Sequence, residues 1–188
     1  MTRKNLMLCL PLVSILSAVG CSKGDSPAGA SSSSGSESSA QVRSASATLQ
    51  AAPGVTLSGK AELTAGPEGV RARVKVQDAT PGKHGIHVHQ KGDCSDIPGK
   101  SMGEHFAPDV KEHGLLESPV RHLGDLGNIE VADDGTGAVD VLVPNATLDN
   151  GSHSYVGKAL VIHEKEDVGT GPSGESGTPI ACAVIRAD

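Results

Sequence analysis

Aromatic side chains are scarce in this chain, which has one Phe, one Tyr and no Trp among 188 residues. A core built around large rings is therefore excluded, and Val, Ile, Leu and Ala must fill it instead. The chain has 24 Gly and 11 Pro, and no stretch shows the pattern of a long amphipathic helix. These features favour an all-β domain of short strands. The length allows one such domain with extensions, but not two large domains.

Long hydrophobic runs are also lacking. The apolar run at 6–19 is broken by two serines and is shorter than the roughly 20 residues that a membrane-spanning helix needs. It follows Arg3 and Lys4 and precedes the small residues at 18–20. This is the layout of a secretory signal, which we predict for residues 1–20.

A cysteine directly follows that predicted signal. The segment 16–21, LSAVGC, resembles the lipobox of bacterial lipoproteins, in which the cysteine is lipidated, although Ala18 replaces the usual Leu. The resemblance predicts a lipid on Cys21. The alternative is ordinary cleavage near Gly20, which would leave Cys21 as a free thiol.

The next residues, 22–43, are rich in Ser, Gly and Ala and have almost nothing to bury. We therefore predict a lipidation cysteine with a flexible linker at 21–43 and a folded domain at 44–188. A lipid, a tether and a domain together predict an exported lipoprotein. It would be anchored to a membrane and would face the periplasm or the cell exterior.

Cysteines are few, and their positions narrow their roles. Cys9 lies in the predicted signal and Cys21 is the lipidation candidate, so only Cys94 and Cys182 remain in the domain. In an oxidising compartment such a pair most often forms one disulfide. Without Arg3 and Lys4 the formal charge changes from −6 to −8, since 14 − 22 = −8. This acidic balance argues against nucleic-acid binding.

From residue 44 onward the hydrophobic pattern has a period of two. In the segment 70–77, VRARVKVQ, apolar and polar residues alternate, which predicts an antiparallel strand with one wet face. A second alternating segment at 57–65 is joined to it by Gly66-Pro67-Glu68-Gly69. About eight such strands predict a sandwich or flattened barrel. Two long gaps, 91–127 and 164–179, predict functional loops.

The histidines gather in and beside these loops. On a strand, His87 and His89 of GIHVHQ share one face, whereas Ile86 and Val88 share the other. Alone, this pair is weak evidence for a metal site, because such pairs are common on half-exposed strands. The loop adds His105, His113, His122 and Asp125 at offsets of 8, 9 and 3, and His163 ends an apolar run. Three imidazoles and one carboxylate form a complete tetrahedral zinc set.

Five motifs carry a resemblance to the copper–zinc superoxide dismutase family. In chain order they are HGIHVHQKGDC, GEHFAP, RHLGDLGNIEV, LVIHEKEDVGTG and IACAVI. They follow the order and nearly the spacing of the family's motifs, from about residue 44 to 185. The resemblance implies an all-β fold, an eight-stranded Greek-key flattened barrel related to the immunoglobulin-like sandwich. It carries two long functional loops.

The resemblance also implies a binuclear site with one copper and one zinc per chain. The implied copper ligands are His87, His89, His105 and His163. The implied zinc ligands are His105, His113, His122 and Asp125, so that His105 bridges the two metals. Asp167 matches a carboxylate that orients His87 and His113, and Cys94 and Cys182 match the family disulfide. Of the two remaining histidines, we expect His84 to support the site and His153 to be solvated.

The implied reaction converts superoxide to dioxygen and hydrogen peroxide. Copper supplies the redox cycle, zinc holds the loop geometry, and His105 delivers a proton. The chain departs from the family at Pro179, where the family has an arginine that docks the superoxide anion. Proline carries no charge, so we expect a slower dismutase. The alternative is a non-catalytic domain that stores or delivers copper or zinc. The sequence leaves open whether the domain is a monomer or a homodimer.

Overall fold

A computed structural model of the protein describes residues 43–188, and these residues contain nine β-strands and no helix. The predicted signal peptide, Cys21 and almost the whole predicted linker lie outside the described residues. The strands are β1 (Ser44–Ala51), β2 (Ser58–Gly66), β3 (Gly69–Gln77), β4 (Gly82–His89), β5 (Asp125–Val131), β6 (Gly137–Val143), β7 (Ala159–His163), β8 (Pro179–Val184) and β9 (Arg186–Ala187).

Eight of these strands form a closed antiparallel barrel. Their order around the barrel is β2-β3-β6-β5-β4-β7-β8-β1, and pairing between β1 and β2 closes the ring. The two-residue strand β9 adds to β1 through Ala45 and Ala187. The non-consecutive neighbours β3–β6 and β4–β7 are the crossovers of a Greek-key topology. The predicted eight-stranded barrel is therefore confirmed.

The alternating pattern explains why these strands face the way they do. In β3, Val70, Val74 and Val76 are buried in the barrel, while Arg71 and Arg73 on the same strand are exposed. Since successive side chains of a strand point to opposite faces, each such strand covers the core with one face and meets water with the other. Tyr155 and Phe106 are the only aromatic rings besides histidine, and aliphatic residues make up most of the core.

Strand β4 breaks this pattern because both of its faces are buried. Ile86 and Val88 enter the core, and His87 and His89 lie on the outer face, yet His87 is 0% and His89 is 5% exposed. The outer face is covered by the two predicted loops, which span residues 90–124 and 164–178 between the strands. Covered imidazoles are shielded from water, so the loops create a closed site on the outside of the barrel.

Two close approaches hold the second loop on β4. The Gly85 amide donates to the Lys165 carbonyl at 2.8 Å. A Cβ added at Gly85 would lie 2.8 Å from the Ser176 Cβ and 3.2 Å from the Asp167 Cβ. Only glycine leaves room for the loop here.

No helix long and apolar enough to cross a membrane occurs between residues 43 and 188.

Candidate metal centre

Three elements bring four histidines together. His87 and His89 project from β4, His163 projects from the end of β7, and His105 comes from the first loop, where it forms an isolated bridge with His89. A register shift between Ile162 and His163 marks an irregularity in the β7–β8 pairing at this point. One ligand atom from each of the four lies within 4.8 Å of the others. The Nε2 atoms of His89 and His163 are 3.4 Å apart.

A second group shares one member with the first. It consists of His105, His113, His122 and Asp125, again within 4.8 Å of one another. Asp125 Oδ1 lies 2.8 Å from His105 Nδ1 and 3.2 Å from His122 Nδ1, and its Oδ2 lies 3.0 Å from His113 Nδ1. Ligands about 2.05 Å from a tetrahedral ion are about 3.3 Å apart. The observed separations are close to that spacing.

In three of the histidines, a hydrogen bond to a backbone carbonyl determines which ring nitrogen stays free to bind a metal. His89 Nδ1 donates to the Gly103 carbonyl at 2.7 Å, and His163 Nδ1 donates to the Gly177 carbonyl at 3.0 Å. His122 Nε2 donates to the Lys111 carbonyl at 2.9 Å. Because a carbonyl only accepts, each of these rings carries its hydrogen there and turns its other nitrogen toward the cluster.

One carboxylate joins the two groups. Asp167 Oδ2 accepts from His87 Nε2 at 2.8 Å, and Oδ1 accepts from His113 Nε2 at 2.9 Å. Asp167 is itself held by Asn128, whose amide donates to the Asp167 carbonyl at 2.9 Å and accepts from its backbone amide at 2.7 Å. The sequence analysis did not assign Asn128 a role. The sequence feature that could have indicated this role is the position of Asn128 at the end of the motif segment GDLGN.

Three buried imidazole nitrogens of the two groups form no hydrogen bond of good geometry among the described residues: His87 Nδ1, His105 Nε2 and His113 Nδ1, although the last lies 3.0 Å from Asp125 Oδ2. Unpaired buried polar atoms are costly, so their convergence indicates a missing partner. Imidazole nitrogens suit both copper and zinc, and the two ligand sets are of sizes that these ions accept. The residues present therefore fit both metals, and His105 faces both groups.

The electrostatics of the site favour neutral imidazoles at three histidines of the first group. Burial lowers the pKa of His87 and His89 to about 3 and that of His163 to about 4. Burial opposes ionisation of Asp125, but its contacts with the three histidines hold its pKa well below the usual range. Burial also lowers the pKa of His113, but the neighbouring carboxylates of Asp125 and Asp167 outweigh it and raise the pKa to about 9.

The remaining sequence predictions have mixed outcomes. Cys94 and Cys182 form a disulfide that ties the first loop to β8. His84 contacts the carbonyls of Thr80 and His163, both at 2.9 Å. His153, which we expected to be only solvated, instead lies 2.8 Å from Asp109 and forms an ion pair when protonated. The local sequence gave no sign of this contact, since the two residues are far apart along the chain.

Comparison with known proteins agrees with this geometry. Residues 57–185 match the family model of copper/zinc superoxide dismutase (SODC). The chain is 39% identical to the extracellular superoxide dismutase [Cu-Zn] of Drosophila melanogaster, over 63% of this chain and 68% of that protein. It is 43% identical to superoxide dismutase [Cu-Zn] 2 of Brassica juncea, over 58% of this chain and 76% of that protein.

A solved structure shares the fold. The crystal structure of the clock protein EA4 matches with a TM-score of 0.71 and 32% identity, and the match covers 79% of this chain and 96% of that one. The family model alone spans more than half of the present chain. The chain belongs to the copper/zinc superoxide dismutase family.

Proposed function

We propose that the protein is a superoxide dismutase that converts superoxide to dioxygen and hydrogen peroxide, more slowly than arginine-bearing relatives. The observation that supports this most is the shared position of His105. Its Nε2 faces His87, His89 and His163, while its Nδ1 faces Asp125. Copper, when bound, supplies one-electron redox chemistry, and zinc supplies a fixed positive charge.

We assign the copper site to His87, His89, His105 and His163, and the zinc site to His105, His113, His122 and Asp125. When not ligated to copper, His105 Nε2 would take up a proton and deliver it to the reduced product, while Nδ1 would stay turned toward the zinc group that contains Asp125. Asp167 orients His87 and His113 and keeps their opposite nitrogens aimed at the two sites. The covering loops exclude bulk water from His87, which is fully buried.

We call position 179 the docking slot. It holds Pro179 and no arginine, and this accounts for the reduced rate. Pro179 begins β8 and pairs with His163 across the sheet. Next to it, the Thr178 hydroxyl donates to Glu164 Oε2 at 3.0 Å, so the group fixed beside the slot is a carboxylate. Among the described residues, the only cation that pairs with Glu164 is the exposed Lys165, whose Nζ lies 3.7 Å from Glu164 Oε1. A negative charge near the slot opposes the approach of an anion.

A second candidate function is metal storage or delivery without catalysis. The same charge pattern favours it, since neither the uncharged Pro179 nor the negative Glu164 can dock superoxide. A solved structure of this fold is that of the clock protein EA4. We rank this function second because the ligand set facing His105 is complete.

The test is superoxide decay with the copper- and zinc-loaded protein. His89→Gln should lose copper and activity, whereas His153→Gln, which changes a histidine whose side chain pairs with Asp109 outside both ligand groups, should keep both. If the loaded parent retains copper but superoxide decays no faster than in buffer, the storage function replaces the dismutase.

We further propose a bacterial exported lipoprotein. It would have a signal peptide at 1–20, a lipid on Cys21, a linker to residue 43 and the dismutase domain at 44–188. The Drosophila relative is named as an extracellular protein, which supports export. Mass spectrometry of the membrane fraction tests the lipid, and Cys21→Ser should release the protein into the soluble fraction.

A further inference from the structure

The only tyrosine of the chain, Tyr155, lies in the segment between β6 and β7 and is 0% exposed. Its backbone is fixed on both sides. The Tyr155 amide donates to the Thr147 carbonyl at 3.0 Å, and the Lys158 amide donates to the Tyr155 carbonyl at 3.0 Å. The side chain therefore has a well-defined direction into the protein.

The Tyr155 hydroxyl donates a short hydrogen bond to the Leu123 carbonyl. Leu123 belongs to the turn that begins at His122 and ends at Asp125, two of the proposed zinc ligands, and the Asp125 amide closes this turn on the His122 carbonyl at 3.2 Å. Among residues 43–188 no other hydrogen bond to the Leu123 carbonyl is found. The hydroxyl thus holds the middle of the turn from a segment 32 residues away.

The ring of Tyr155 also reaches a second ligand segment. It packs edge-on against Phe106, with ring centroids 6.1 Å apart and an interplanar angle of 70°. Phe106 follows His105, and its carbonyl accepts from the Gly124 amide at 2.8 Å. Tyr155 therefore contacts the chain next to His105 and the chain next to His122. These are the two segments that must stay in register for one zinc ion to be held.

We propose that Tyr155 is a positioning residue of the zinc site, and that its hydroxyl fixes the His122–Asp125 turn in the geometry that zinc requires. This inference rests on the proposed function, because it takes the second ligand group as the zinc site. Groups that orient metal ligands through hydrogen bonds typically change metal affinity 10- to 100-fold when removed. Tyr155 acts through the backbone, so we expect an effect near the lower limit, about 10-fold.

The experiment measures zinc affinity in Tyr155→Phe, which keeps the ring contact with Phe106 and removes only the hydroxyl. Competition with a chromophoric chelator should show zinc binding weakened about 10-fold, with copper affinity within about 2-fold of the parent. Cobalt(II) in the zinc site should show a changed visible spectrum, because that spectrum reports ligand geometry.

Two control variants separate positioning from general loss of stability. Ser154→Ala removes a neighbouring buried hydroxyl that accepts from the Val156 amide at 3.2 Å, and should leave zinc affinity unchanged. Leu148→Ala removes core volume from a residue that is 1% exposed. It should lower the melting temperature without changing the cobalt spectrum.

The inference is overturned if Tyr155→Phe binds zinc as tightly as the parent with the same cobalt spectrum, or if Leu148→Ala reproduces both effects. A parent protein that takes up no zinc overturns both this inference and the proposed zinc site. A parent that binds zinc normally while Tyr155→Phe shows no change overturns this inference alone.

Discussion

Pro179 is the cross-strand partner of His163, at the irregular start of the β7–β8 pairing. The position that we propose to lack a docking arginine therefore lies directly beside a proposed copper ligand. Because opposite residues of paired strands share a face, a side chain at 179 is expected on the face that carries His163.

Restoring the arginine should accelerate the reaction. Electrostatic steering raises association rates by roughly 10- to 10³-fold, and one charge should give the lower value. We expect Pro179→Arg to raise the superoxide decay rate about 10-fold at low salt, and that rate to fall with ionic strength. Pulse radiolysis at several salt concentrations measures both. Pro179→Gln is the neutral control, and an equal gain in that variant would show that charge is not the cause.

Removing the Glu164 carboxylate beside Pro179 should raise the superoxide decay rate less than Pro179→Arg does. Glu164 Oε2 accepts from Thr178, and glutamine keeps an acceptor there without the charge. Glu164 is exposed, so water and salt screen its charge, and we expect Glu164→Gln to raise the rate only about 2-fold. Glu62→Gln, on β2, is the matched control and should leave the rate unchanged. Equal rates in Glu164→Gln and the parent would contradict this prediction.

Breaking the Asp167 bridge should weaken both metals together. Asparagine keeps one acceptor, but its amide group cannot accept from both His87 and His113 as the carboxylate does. We expect Asp167→Asn to lower zinc and copper affinity about 10- to 100-fold, measured by metal content after dialysis against a chelator. Glu166→Gln changes an exposed neighbour that pairs with Lys83 and should retain both metals. Full retention of both metals by Asp167→Asn would rule out the orienting role.

The metal-free protein should lose stability in acid. Burial holds the pKa of His87 and His89 at about 3 and of His163 at about 4, whereas in the unfolded chain they titrate near 6.5. Between these values the unfolded state binds more protons, so the free energy of unfolding falls as pH decreases. Together the three residues change the free energy of unfolding by up to about 4 kcal/mol per pH unit in this range.

His113 acts in the opposite direction at higher pH. Its folded pKa of about 9 gives stability that is fully present below about 6.5 and is lost as pH rises through 9. Stability of the chelator-treated protein should therefore be greatest near neutral pH. Urea unfolding at pH 5, 6, 7, 8 and 9 measures this, with His153→Gln as a control that should follow the same curve. Greater stability at pH 5 than at pH 7 would contradict the prediction.

Much of the candidate site was predictable because it depends on local rules. Alternation along β4 sends Ile86 and Val88 into the core, and therefore sends His87 and His89 to the opposite face. The apolar run that ends at His163 predicted a buried strand, and β7 ends at that residue. The spacing of the loop histidines and of Asp125 predicted a ligand set that the fold does bring together.

Other relationships depend on how distant segments pack. Asp167 lies 80 residues from His87 and 54 from His113, and the Asn128 clamp on its backbone follows from the path of the second loop over the barrel. The contact between His153 and Asp109 has the same origin. No periodicity signals such contacts, since each joins two segments that are independent along the chain.

The sequence by itself determined the strand pattern, the residue types of both ligand groups and the two cysteines available for one disulfide, because alternation and composition are local properties. Only the tertiary structure decided which nitrogen of each histidine is free, that Pro179 lies against His163, and that Tyr155 holds the turn of His122 and Asp125. These depend on sheet register and on loops packed across the barrel, where the partner of each group is chosen by the closed fold.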